Sequence, residues 1–189
     1  MSATVHCTAD EALKRLKDGN AKYLGATANT GDISAALRKK TVGGQTPYAV
    51  VITCSDSRVI PESIFSAGIG EIFVIRVAGN VIDNHQLGSV EYATGHLGSR
   101  LIVVMGHDHC GAVDAAIHHA PEGYVKTITD QIKKAIGGET DPYAASCLNV
   151  RNSVKMIEES LNIRQGGETD GLQVCGAIYH LEDGRVEFL

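Results

Sequence analysis

The stretch Pro47-Tyr-Ala-Val-Val-Ile-Thr-Cys54 decides the fold, together with the related runs Ile72-Phe-Val-Ile-Arg-Val77 and Leu101-Ile-Val-Val-Met105. All three are rich in branched apolar residues and lack clean polar alternation, the pattern of strands buried on both faces of a sheet. Helical patterns lie between them. Pro61 suits the first turn of a helix over PESIFSA, and Leu87 to Leu97 reads as another. Strand–helix–strand order predicts a parallel sheet with right-handed crossovers.

Working outward toward the C-terminus, Val125, Ile128, Ile132 and Ile136 fall three or four residues apart, which predicts an amphipathic helix over 124–136. Asp141 followed by Pro142 has the form of an N-cap and first turn, opening a helix that carries Leu148, Val154, Ile157 and Leu161. The chain closes as LQVCGAIYHL, Asp183–Gly184 and RVEFL, a hairpin with a favoured turn pair. Toward the N-terminus, Thr8 and Glu11 have capping-box spacing before a helix with Leu13 and Leu16 on one face. A second helical patch, ISAALRKK, precedes Gly43–Gly44. The expectation is one α/β domain over residues 1–189. Residues 1–44 form a helical arm outside the core, of the kind that packs on a neighbouring subunit. Residues 45–189 form the core: a central, mainly parallel sheet with flanking helices and a C-terminal hairpin.

Composition narrows the partners. The 189 residues carry a net charge of −5 and 43% hydrophobic content, which gives no electrostatic reason to expect nucleic acid or a membrane surface. No apolar run approaches the length of a membrane span, and the first twenty residues lack the form of a secretory signal. Five cysteines, none in a CxxC pair, point to a reducing, cytoplasmic setting in which thiolates serve metals or catalysis.

Two segments carry chemistry: Cys54-Ser-Asp56-Ser-Arg58 and Gly106-His107-Asp-His-Cys110-Gly111. Each begins where a parallel strand is expected to end, the edge at which open α/β sheets form their sites. Cys54, His107 and Cys110 make a plausible Cys₂His set for zinc with a fourth position for water. Asp108 and His109 stand close by, so spacing alone leaves a closed structural site open. If the 54–58 segment is extended, Cys54, Asp56 and Arg58 share one face, where the carboxylate orients a metal-bound hydroxide and Arg58 holds the carboxylate. The other cysteines, Cys7, Cys147 and Cys175, have no partner spacing.

The ordered strings CSDSRV, PESIFSAGIGEIFVIRVAGN, GSVEYA and LIVVMGHDHCGAV closely resemble the β-class carbonic anhydrases from about Gln45 to Val113. Weaker likeness extends through EALKRLKDGNAKYL and the closing GAIYHLEDGRVEFL. The resemblance implies zinc, one ion per chain, on Cys54, His107 and Cys110, with Asp56 and Arg58 as catalytic dyad. It implies substrate contacts at Gln45, Phe73, Val77, Tyr92 and the Gly111 backbone. It also implies reversible hydration of carbon dioxide to bicarbonate and a proton by a zinc-bound hydroxide, in a homodimer or homotetramer with the site at the subunit interface. The active site looks plant-type. Val51 stands where the allosteric bacterial subtype has tryptophan, and the chain has no tryptophan. Alternative readings are a carbonyl sulfide or carbon disulfide hydrolase on the same scaffold, and a non-catalytic zinc or redox thiol module.

Overall fold

A computed structural model describes residues 6–165 and 171–189; residues 1–5 and 166–170, and the side chains of 161–165 including Leu161, lie outside the described residues. The strands are β1 (Ala49–Thr53), β2 (Ile72–Arg76), β3 (Leu101–His107), β4 (Gln173–Tyr179) and β5 (Val186–Phe188). The helices are α1 (Ala9–Leu24), α2 (Ala35–Lys40), α3 (Pro61–Ile64), α4 (Asn84–Gly95), α5 (Gly111–His118), α6 (Val125–Ile136) and α7 (Pro142–Gln165).

The sheet order is β2-β1-β3-β4-β5, with β1 to β4 parallel and β5 antiparallel to β4. Alternation sends neighbouring residues of β1 to opposite faces, and both faces are apolar. Val51 joins Leu101, Val103, Met105 and Phe65 on one side. Val50 and Ile52 join Ile102, Val104 and Ile178 on the other, beneath Val90 of α4 and Val150 and Ile157 of α7. Helices on both faces explain the unbroken apolar runs.

The two N-terminal helices behave differently. Thr8 caps α1 in a complete capping box with Glu11. Ala12 and Leu16 of α1 are fully buried against the sheet, and burying the leucine contributes roughly 2 kcal/mol. Asn20 extends the attachment, donating to the carbonyls of Ile64 and Gly184 and accepting from the Val186 N–H. No residue of α2 is buried, and Val42 just beyond it is 83% exposed.

Two details depart from the sequence pattern. Helix α5 was not marked in the sequence at all: it spans eight residues, and Cys110 at its N-cap makes no side-chain capping bond. The C-terminal hairpin turns through a wider loop than a two-residue pair. His180 N–H donates to Arg185 O, Gly184 N–H donates to His180 O, and Gly184 alone there takes a positive φ of 78°.

Candidate metal centre

From β1 the chain passes to β2 on one side and later to β3 on the other, so the strand order reverses between β1 and β3. A crevice opens at such a switch point beyond the carboxyl ends of the strands. Cys54 directly follows β1, His107 ends β3, and Cys110 sits at the start of α5. Their ligand atoms lie within 4.8 Å of one another, and all three residues are buried.

The local bonding prepares this cluster for a cation. His107 Nδ1 lies 2.7 Å from the carbonyl oxygen of Asp108, which fixes the proton on that nitrogen. The other ring nitrogen, Nε2, is buried and has no hydrogen-bond partner. A bare imidazole nitrogen beside two buried sulfurs is a costly arrangement unless a metal meets it. Cys54 Sγ accepts a hydrogen bond from the Gly79 N–H at 3.3 Å. The thiols divide one charge between them: the Cys110 thiol, followed by His107, lowers Cys54 to about 4, while the charge on Cys54 and then burial raise Cys110. Burial lowers the His107 imidazole, but the Cys54 thiolate outweighs it and the net direction is upward. Only a cation lets both sulfurs ionise together. The donor set therefore fits a metal ion, and among the described residues it is the only such group of histidine, cysteine and carboxylate side chains.

Asp56 stands at the edge of the cluster, its Oδ2 3.8 Å from His107 Nε2. Arg58 holds it with both arms, Nε to Oδ1 at 3.0 Å and Nη2 to Oδ2 at 2.7 Å, and the Arg58 N–H adds a third bond. The pairing with Arg58 keeps the carboxyl well below the usual carboxylate range. The backbone reason differs from the extended-chain expectation. Val59 N–H donates to Asp56 O, closing a turn over 56–59 that brings Arg58 back onto Asp56. Arg58 also reaches His109 O across the crevice at 3.3 Å, and Arg76 donates to the carbonyls of Cys54 and Asp56.

A family model for carbonic anhydrase matches residues 49–186. The chain belongs to the β-class carbonic anhydrases. It is 39% identical to a carbonic anhydrase of Mycolicibacterium smegmatis, over 93% of this chain and 91% of that one. It is 36% identical to carbonic anhydrase 2 of Mycobacterium tuberculosis, over 92% and 89%. Among solved structures, it superposes on a β-carbonic anhydrase of Sordaria macrospora, described as tetrameric, with a TM-score of 0.73, 29% identity and coverage of 80% and 85%.

Within this β-carbonic anhydrase the expected substrate residues separate into two groups. Val77 continues β2 beside Cys54, its N–H donating to Thr53 O, and packs in the same apolar cluster as Cys54 and Cys110. Gly111 is the first residue of α5, where a backbone N–H has no partner within the helix. These two share the ligand edge. Gln45 does not: it is exposed in the loop before β1, in a pocket with Arg15, Lys40, Tyr48 and Glu71. The four residue steps of β1 alone put about 13 Å between the two sheet edges. Phe73 pairs with Val50 near the start of β2, and its ring lies 6.2 Å from that of Tyr92, which is 47% exposed on α4.

Sequence reasoning did not foresee the part played by Gly79 and the backbone carbonyl of Asp108. Both act through main-chain atoms, which no side-chain motif announces. Arg76, which no motif singled out, braces the 54–56 backbone from the end of β2.

Proposed function

We propose that this carbonic anhydrase holds one zinc ion on Cys54, His107 and Cys110 and converts carbon dioxide to bicarbonate and a proton there. The observation that carries the reading is the unpartnered Nε2 of His107, converging with two thiols beside an Arg58-held Asp56. Two sulfurs and an imidazole suit zinc, and three protein ligands leave a coordination position for water. Once bound, the metal acts as a Lewis acid that makes water nucleophilic near neutral pH.

The residues of the chain supply the rest. Asp56 is fixed by Arg58 as a permanent anion and accepts a hydrogen bond from the attacking water, directing its lone pair at the carbon. Val77 offers apolar wall to a substrate with no dipole. The Gly111 N–H faces the negative charge that gathers on oxygen as the bond forms. His109 is exposed beside Cys110 and is the candidate carrier of the released proton.

Gln45, Phe73 and Tyr92 belong to the same chemistry only across a subunit boundary. The family's pocket is completed across a dimer interface, and the position of these residues away from the ligand edge supports that arrangement here. A homodimer or homotetramer is the assembly that follows; α1 packs on the sheet of its own chain, so of the expected 1–44 arm it is the wholly unburied α2 and exposed Val42 that support a neighbour. The cellular setting consistent with unpaired thiolate ligands is the cytoplasm.

The relatives favour carbon dioxide over carbonyl sulfide, carbon disulfide or a non-catalytic thiol module. Stopped-flow assays with each of the three substrates test this. Rapid proton release from carbon dioxide, lost in Asp56→Ala with zinc retained, is the expected result. Turnover of a sulfur substrate alone would overturn it.

A further inference from the structure

The Ala78-Gly79-Asn80 turn, between β2 and α4, donates to Cys54 and is held in an uncommon backbone shape. Gly79 has φ of 67° and Asn80 has φ of 44°, the left-handed region that asparagine enters at a cost. A Cβ at Gly79 would lie 2.7 Å from Ile132 Cδ1 and 3.1 Å from Ala112 Cβ, so a side chain there would have to push Ile132 aside in a backbone shape that already favours glycine. The Asn80 side chain adds a buried Nδ2 without a hydrogen-bond partner. Such a turn persists only if its surroundings hold it.

The holders are on α7. Asn149 Nδ2 donates to Gly79 O at 2.7 Å, and Ser153 Oγ donates to Asn80 O at 3.1 Å. Asn149 is 2% exposed and Ser153 1%. Four residues apart, they share one helix face and meet two successive carbonyls of the turn. On the other side of the same glycine, its N–H points at Cys54 Sγ.

We propose that Asn149 and Ser153 are positioning residues for the metal centre, fixing the 78–80 turn so that the Gly79 N–H stays aimed at the Cys54 sulfur. This rests on the reading of Cys54 as a metal ligand. Two thiolates donate much charge to a metal and weaken it as a Lewis acid. A hydrogen bond to one of them draws part of that charge away and fixes the sulfur's direction. Helix α7 thereby acts on the reaction without touching substrate or metal.

The test compares wild type, Asn149→Ala, Ser153→Ala and Ser146→Ala by chelator competition for zinc and by the sulfur-to-metal charge-transfer band of the cobalt(II)-loaded protein. Ser146 is similarly buried on α7, but its hydroxyl donates to Pro142 O within the helix. The zinc dissociation constant is expected to rise roughly 10- to 100-fold in Asn149→Ala, less in Ser153→Ala, and to stay unchanged in Ser146→Ala. The cobalt band shifts in the same order. Wild-type constants and bands in both turn variants would overturn the proposal, as would equal weakening by Ser146→Ala. If Asn149→Ala fails to fold, Ser153→Ala against Ser146→Ala decides. A wild type that takes up neither metal on sulfur would overturn the metal reading, and the proposal with it.

Discussion

The two ends of the parallel sheet are built from opposite logic. At the carboxyl end, Cys54, His107 and Cys110 converge within 4.8 Å, buried and oriented by backbone bonds of the same chain. At the amino end, Gln45 and Thr46 are exposed, and the pocket there is bounded by Arg15, which bonds Glu71 and lies 3.8 Å over the Tyr48 ring. One end completes itself. The other leaves Gln45 and Thr46 exposed, which suits the proposed sharing of the site between subunits.

The largest expected effect breaks the self-contained end. Cys54→Ala removes metal and hydration together, read by metal analysis and stopped flow. Asp56→Ala should keep the metal and slow turnover by roughly 10²- to 10⁴-fold, the range for a lost proton-handling group. Turnover close to wild type in that variant would remove Asp56 from the mechanism.

The amino end yields smaller effects and a sharper test of sharing. If Gln45 reaches the substrate across the boundary as proposed, Gln45→Ala loses one hydrogen bond and should slow the reaction by about tenfold or less. Mixing Cys54→Ala subunits with Gln45→Ala subunits should restore full-rate sites, because the first variant lends its glutamine to the metal of the second. If Gln45 serves its own chain, the mixture stays at or below the rate of Gln45→Ala alone.

The smallest effect concerns α1, which carries Arg15 to this end. Thr8→Ala should cost about 1 kcal/mol in chemical denaturation. The Thr8 N–H and hydroxyl lower the pKa of Glu11 in the folded state. That stabilisation is complete above the ordinary glutamate value and is lost as pH falls through the lowered folded value. Alanine keeps the N–H, the larger cause, so only the hydroxyl share is lost and the difference between Thr8→Ala and wild type should shrink slightly in acid.

The carboxyl end was the more legible in sequence. Strand-forming runs placed Cys54 and His107 at strand ends, and the two residues between His107 and Cys110 fit one turn. The pairing of Asp56 with Arg58 was legible too, but for a different reason: a turn over 56–59, where alternation along an extended chain was expected. Helix α5 was hidden because its short length buries only Val113 and Ala116. The hold on Cys54 by Gly79 was invisible because backbone N–H groups leave no mark in composition. For Gln45 the signal was present in the strand itself: a residue before β1 and a ligand after it occupy opposite edges of one sheet.

The measurement that bears most directly on the central claim is metal content and carbon dioxide hydration on one purified sample, with proton release followed by stopped flow. One zinc per chain with rapid hydration, both abolished by Cys54→Ala, is the expected result. Protein that binds no zinc when zinc is supplied, or that binds it and hydrates no carbon dioxide, would contradict the account.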